Sequence, residues 1–318
     1  MTEDRRPTGK PEGEHGTVAV VAALLANLGI AVAKFVGFLV TGASSMLAEA
    51  FHSVADSGNQ ATLIVGGRVA RRGPDRQHPF GHGRARFFAA FLVAVILFTL
   101  GSLFSLYEGY EKLRHPHPLE SPLVALAILV VALVLEGVSL RTAVREASPM
   151  RGRQSWWSFI RTTKQPELAV VLLEDTAAEL GLAFAFLGVG LAALTGDPLY
   201  DALGTLAIGA LLAVVAVVLG FEMYSLLLGE AASPEEQTTI RDTLTATPGL
   251  AHLLQLRTMH LGPDDLLVVG GLEIDRARSA ADAAAVIDAA QARVREALPS
   301  ARVIYLEPDL PAAVTEVR

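Results

Sequence analysis

Ser44-Ser45-Met46-Leu47-Ala48-Glu49-Ala50-Phe51-His52-Ser53-Val54-Ala55-Asp56 lies inside an apolar run long enough to be a membrane helix, yet it carries Glu49, His52 and Asp56. At i, i+3 and i+7 the three project from one helical face, with His52 and Asp56 a single turn apart. Ionisable groups at membrane depth cost several kcal/mol each, so they require partners or a water-filled cavity and point to function by default. The rest of the chain must make that cost tolerable.

The totals set the class. The 318 residues are 52% hydrophobic and 6% aromatic, with a mean hydropathy of +0.43. That is too apolar for an ordinary soluble domain and indicates several membrane spans. A net charge of -7 gives no reason to expect a nucleic-acid partner, because neutralising phosphates takes a basic patch. With no cysteine, disulfides and thiolate metal sites are excluded, and any metal must be held by His, carboxylates, carbonyls or water.

Six runs reach the roughly 20 residues that cross a hydrocarbon core: Val18–Val40, Ser45–Val69, Phe87–Tyr110, Leu123–Val144, Leu168–Leu194 and Leu199–Leu228. The polar segment from Met1 to Gly16 lacks the apolar core of a cleaved signal peptide and reads as a disordered tail. Arg68, Arg71, Arg72, Arg76, Arg84 and Arg86 gather around the second connection between spans, and Arg141, Arg145, Arg151, Arg153, Arg161 and Lys164 around the fourth. The positive-inside rule puts both basic loops and both termini in the cytoplasm of a multi-pass plasma (inner) membrane protein. The expected layout is a tail over 1–16, a six-span transmembrane domain over 17–229, a cytoplasmic domain over 230–311 and a short tail over 312–318.

After Gly229 the pattern changes. Ser233-Pro234-Glu235-Glu236 reads as a helix start, and Pro248-Gly249 ends that helix near Thr247. Leu253–Leu261 and Leu266–Ile274 read as strands around Gly262-Pro263-Asp264-Asp265. Ser279–Leu298 reads as a helix with Asp282 completing a near capping box, and Arg302–Leu306 as a third strand. This is a small α-β-β-α-β domain of a size for which dimerisation is a natural stabiliser.

His52 and Asp56 at i, i+4 can ligate one metal from one face; the competing reading is a hydrogen-bonded packing pair. Completion from another helix is offered by Leu172-Leu173-Glu174-Asp175-Thr176-Ala177-Ala178-Glu179, an acidic centre in an apolar span. Asp175 and Glu179 share a face, and Glu174 is turned about 100° from Asp175. His52, Asp56 and Asp175 make a nitrogen–oxygen set whose fourth position falls to Glu179, Glu174 or water. Such a set suits Zn2+, and also Co2+, Fe2+ or Mn2+. Clustered carboxylates at low dielectric repel one another, so protons occupy them when metal does not, and metal binding displaces those protons. A second cluster, Asp75, His78 and His82, lies in the loop Asp75-Arg76-Gln77-His78-Pro79-Phe80-Gly81-His82-Gly83. Asp201 reads as a carboxylate complementing the dipole of its own helix. Glu49 reads as lining the route to the site, and Glu136 has no evident partner. His252 and His260 sit at no ligand spacing, and Trp156-Trp157-Ser158-Phe159 reads as an interfacial anchor. No nucleophile–base pair or phosphate-cradling glycine motif argues for an enzyme.

Six spans, the acidic His-x-x-x-Asp second helix, the Asp-x-x-His-x-x-x-His loop followed by Gly83-Arg84-Ala85-Arg86, and a small α/β tail together resemble the cation diffusion facilitator family. The fifth-helix sequence Leu172–Ala178 is similar to that of a zinc-transporting subgroup. The resemblance implies a six-helix α-helical membrane protein with a ferredoxin-like cytoplasmic domain. It further implies a homodimer in the lipid bilayer that exchanges a divalent cation, Zn2+ above all, for protons. In family terms His52, Asp56 and Asp175 match transport-site ligands and Asp75, His78 and His82 match a loop site. One turn before Asp175, where the family places its fourth ligand, this chain has Val171. Positions where zinc-regulated members carry histidines are Leu254, Gly271 and Tyr305, leaving Glu307, so the tail is expected to dimerise without a full metal site.

Overall fold

The computed structural model describes residues 28–274 and 279–309. The tails expected over 1–16 and 312–318 and the first part of the span from Val18 lie outside them. Among the described residues, helix α1 (Leu28–Thr41) is followed by α2 (Ser44–Ala70), α3 (Ala85–Arg114), α4 (Pro122–Arg151), the short α5 (Trp156–Thr162), α6 (Pro166–Thr195) and α7 (Leu199–Leu228). Then come α8 (Pro234–Thr245), β1 (Leu250–Gly262), β2 (Asp265–Ile274), α9 (Ala280–Ala297) and β3 (Val303–Pro308). Helices α3, α4, α6 and α7 are long and apolar enough to cross a membrane. Helix α2 has 27 residues, but Glu49, His52, Asp56 and Asn59 dilute its apolar character. The fold is therefore a helical membrane protein carrying a small three-stranded domain.

The described part of the first span ends at Thr41, one residue past its expected end, and the second to sixth spans match their expected positions to within a few residues, except that α4 runs on to Arg151. The connection expected from Arg145 is thus partly helical, because Arg145-Glu146-Ala147 are good helix formers once outside hydrocarbon. The described chain forms two compact units, one built from the stretch ending at Ala61 with Val95–Thr142 and Leu173–Ala216, the other from Thr62–Ala94, Ala143–Leu172 and the chain from Val217.

In the first unit, helices approach through small residues, as membrane packing favours when no apolar driving force separates protein from lipid. At the α6–α7 crossing, a Cβ on Gly188 would sit 2.9 Å from the Tyr200 carbonyl oxygen, and one on Gly204 2.9 Å from that of Phe184. Helix α3 contains a π-helical segment, Leu97–Leu103, and there Ser102 Oγ donates to the Gly209 carbonyl of α7 at 2.9 Å. The N-terminus of α2 is capped from outside. Asp201, fully buried, accepts from the Ser44 backbone N–H at 2.8 Å and the Ser44 hydroxyl at 3.0 Å, and from the Ser45 N–H at 3.3 Å and its hydroxyl. Lys112 Nζ lies 3.7 Å from the same carboxylate. Asp201 thus stands in the first turn of its own helix, as its spacing suggests, and serves the positive end of α2 as well, which the spacing alone does not show.

In the second unit, β1 and β2 are antiparallel and β2 and β3 parallel, in the order β1-β2-β3. Gly262 pairs with Asp265, so the hairpin turn is Pro263-Asp264. Both capping boxes form: Glu236 N–H donates to Ser233 Oγ at 3.2 Å while Ser233 N–H donates to Glu236 Oε2 at 2.8 Å, and Ser279 and Asp282 do the same for α9. Ile240 and Leu244 of α8 and Val286, Ala290 and Val294 of α9 bury one face of the sheet against Leu266, Val268 and Leu272. Arg86 ties three segments together, donating to Glu167 at 2.5 and 2.8 Å and to Asp264 at 2.9 Å.

Candidate metal sites

The first site is built around α2. His52 is fully buried, and neither ring nitrogen has a hydrogen-bond partner. Its Nδ1 lies 3.4 Å from Asp56 Oδ1, which is also buried without a hydrogen bond. A packing histidine would satisfy its nitrogens, since an orphaned buried polar group costs about 1–3 kcal/mol. Two nitrogens and a carboxylate oxygen without hydrogen bonds form a donor set that could take a cation.

The acidic centre of α6 supplies the other wall. Asp175 Oδ2 accepts from Ser139 Oγ of α4 at 3.0 Å. Glu174 is buried and its Oε1 accepts a short hydrogen bond from Asn59 Nδ2, one turn beyond Asp56 on α2. Asp56 lies within electrostatic range of Asp175, and Glu174 within range of both. His52 is thus set beside Asp56, and Glu174 is joined to α2 through Asn59, while Asp175 is joined to α4 through Ser139; no three of their ligand atoms lie within 4.8 Å of one another. Glu179, one turn after Asp175, turns toward Gly137 of α4, where a Cβ would be 3.7 Å from either carboxylate oxygen; its Oε2 is buried without a partner.

Several functional neighbours escaped the sequence. Lys34 of α1 is buried and donates to Glu49 Oε2 at 3.1 Å and to Ser53 Oγ at 2.9 Å. Glu49 is thus the partner of an ion pair, which corrects its reading as a residue lining a route. Room for it comes from Gly181 of α6, where a Cβ would fall 2.6 Å from Glu49 Oε1. A lone lysine inside the first apolar run was the available signal, since a charge there demands a partner. Asn59 and Ser139 carried no such signal, being neutral and common.

The second site is the loop. Potential ligand atoms of Asp75, His78 and His82 all lie within 4.8 Å of one another, the one group of three so drawn together among the described residues. The two imidazole rings are 4.2 Å apart, and Asp75 Oδ2 is 3.6 Å from His82 Nε2. Asp75 Oδ1 accepts from the N–H of His78 at 2.7 Å and of Gln77 at 2.8 Å. These donors, that of His78 foremost, hold its carboxyl below the usual carboxylate range, leaving the ionised form a metal ligand must have. Gly81 turns the loop at a φ of +82°, a conformation that favours glycine. His260, by contrast, is buried in the small domain 4.0 Å from Glu236, with burial pushing its ring pKa down.

Residues 20–228 match the cation efflux transmembrane domain, which spans both sites. The chain belongs to the cation efflux family. Among the relatives of this family member is the human protein named proton-coupled zinc antiporter SLC30A9, mitochondrial, 36% identical over 231 residues, covering 72% of this chain and 41% of the relative. Metal tolerance protein C4 of Arabidopsis thaliana is 29% identical over 252 residues, 79% of this chain and 55% of the relative. The cation-efflux pump FieF of Escherichia coli is 28% identical over 287 residues, 90% of each. The chain spans 41–44% of the length of the mitochondrial zinc antiporters it matches.

Proposed function

We propose that this cation efflux protein is a secondary active transporter, not an enzyme, exporting Zn2+ or a similar divalent cation from the cytoplasm in exchange for protons. The observation that carries this reading is the fully buried His52 with both ring nitrogens free of hydrogen bonds, facing the unpaired Asp56 oxygen. A desolvated imidazole beside carboxylates suits Zn2+, and the lack of any thiolate leaves the set hard enough for Mn2+, Fe2+ or Co2+. When the cation leaves, protons on the carboxylates relieve their mutual repulsion, which couples the two flows in opposite directions. Rocking of α2 and α6 against the other helices would open the site to each side in turn. The small domain is assigned to homodimerisation, the termini to the cytoplasm, and the membrane to the plasma (inner) membrane; the human relative is named as a mitochondrial protein.

Full-length protein in proteoliposomes tests this. A proton gradient should drive Zn2+ uptake in the wild type, and Asp56→Ala or Asp175→Ala should abolish it while the protein remains folded by size-exclusion chromatography. Undiminished uptake in both variants would overturn the reading.

A further inference from the structure

Val171, one turn before Asp175, packs into an apolar cluster with Ala143, Ala147, Phe159 and Leu172. It offers no donor atom, and its surroundings would not solvate a cation. The missing charge has to come from elsewhere, and helix α4 is placed to provide it. Ser139 of α4 donates to Asp175, and Gly137 lies against Glu179, so this helix packs directly on the acidic face of α6. Glu136 sits one turn before Ser139, and residues at i and i+3 share a helical face. It stands inside the apolar run Leu123–Val144, 13 residues after its start and 8 before its end. At such a position a carboxylate has little access to water and needs a partner. Among the described residues Glu136 makes no hydrogen bond or ion pair. An unengaged carboxylate on the same face as the residue that bonds Asp175, one turn away, is placed to turn toward that site when a cation arrives.

We propose that Glu136 completes the buried cation site, supplying from α4 the anionic ligand that Val171 does not supply from α6. The site then draws on three helices rather than two, with one imidazole and three carboxylates: His52, Asp56, Asp175 and Glu136. Four donors of this kind match the tetrahedral set that Zn2+ accepts, and the extra carboxylate widens the range toward harder cations such as Mn2+. Glu174 is left to its hydrogen bond with Asn59, orienting α2 against α6 rather than touching the cation. Glu136 also adds a proton-carrying group to the exchange.

This inference rests on the proposed transport reading, and the test separates the two. In a background with Asp75, His78 and His82 all replaced by alanine, Co2+ binding to the purified full-length protein is followed by its visible absorption, and Zn2+ affinity by competition. Asp56→Asn should remove the Co2+ spectrum. Glu136→Gln should weaken Zn2+ affinity at least tenfold and alter the Co2+ band, which a merely structural role would leave in place. Glu174→Gln should leave the spectrum as it was. Loss with Asp56→Asn but wild-type affinity and spectrum with Glu136→Gln would overturn the Glu136 assignment alone. Unchanged binding in both would overturn the transport site and the assignment with it. If Glu136→Gln does not fold, Glu136→Asp keeps the charge one methylene shorter; a shifted Zn2+-to-Mn2+ preference supports the assignment, and an unchanged one overturns it.

Discussion

The two candidate cation sites use the same donor types and differ in everything that surrounds them. At the buried site His52 is fully enclosed, its nitrogens have no hydrogen bonds, and its carboxylates come from distant parts of the chain. At the loop site the three groups fall within eight residues of sequence, Asp75 and His78 are about half exposed, and backbone N–H groups hold the carboxylate ionised. Water can solvate the loop groups whether or not a cation is bound. At the buried site only a cation, a proton or a neighbouring charge can do so. The difference teaches that donor chemistry alone does not separate transport from storage or sensing; the cost of leaving the donors empty does, because that cost couples cation to proton.

If burial governs the contrast, the largest effect belongs to a charge with no water to fall back on. Lys34→Met should destabilise the protein by about 3–5 kcal/mol by stranding Glu49, and Lys34→Met with Glu49→Gln should recover much of the loss in a thermal melt in detergent. A mild effect of Lys34→Met alone would show that water reaches the pair. Asp201→Ala should cost about 0.5–2 kcal/mol, the range for a lost helix cap, because the Ser44 and Ser45 N–H groups at the start of α2 lose their acceptor; Asp201→Asn should cost less.

At the loop the same kind of change should be nearly silent for folding. Asp75→Ala is expected to shift stability by less than about 0.5 kcal/mol, as exposed substitutions do, while removing one bound Zn2+ per chain by isothermal titration and leaving proton-driven uptake in place. Abolished uptake would erase the distinction between the sites.

His260 offers a smaller, third test, a buried histidine without a converging acidic set. Its ring pKa is lowered in the folded protein by burial, so it contributes nothing to the pH dependence of stability above its ordinary value of 6.5. As pH falls below 6.5 the unfolded chain takes up the proton more readily, and stability declines. Thermal melts at pH 7.5 and at pH 5.5 should therefore differ less for His260→Gln than for the wild type.

Most of the architecture was legible because it is local. The spans announce themselves by length, both capping boxes by a Ser three residues before an acid, and the loop cluster by its spacing. The half of the buried site on α2 was legible for the same reason, since His52 and Asp56 are one turn apart. What could not be read is what joins different helices. Periodicity says that Glu49 faces the same way as His52, but not that Lys34 stands opposite. It places Asp201 in the first turn of α7, but not against the start of α2. Glu136 shows the limit most plainly: it is conspicuous as a charge in an apolar run, but its nearness to the acidic face of α6 could not be read until Ser139 is seen bonded to Asp175.

On the proposed reading, the desolvated set around His52 is where the transported cation binds. Anomalous diffraction at the zinc edge on crystals of the full-length protein soaked in Zn2+ addresses it most directly. A peak between His52 and Asp56, within bonding distance of a carboxylate from α4 or α6, is the predicted result. A peak at Asp75, His78 and His82 with none near His52 would contradict it.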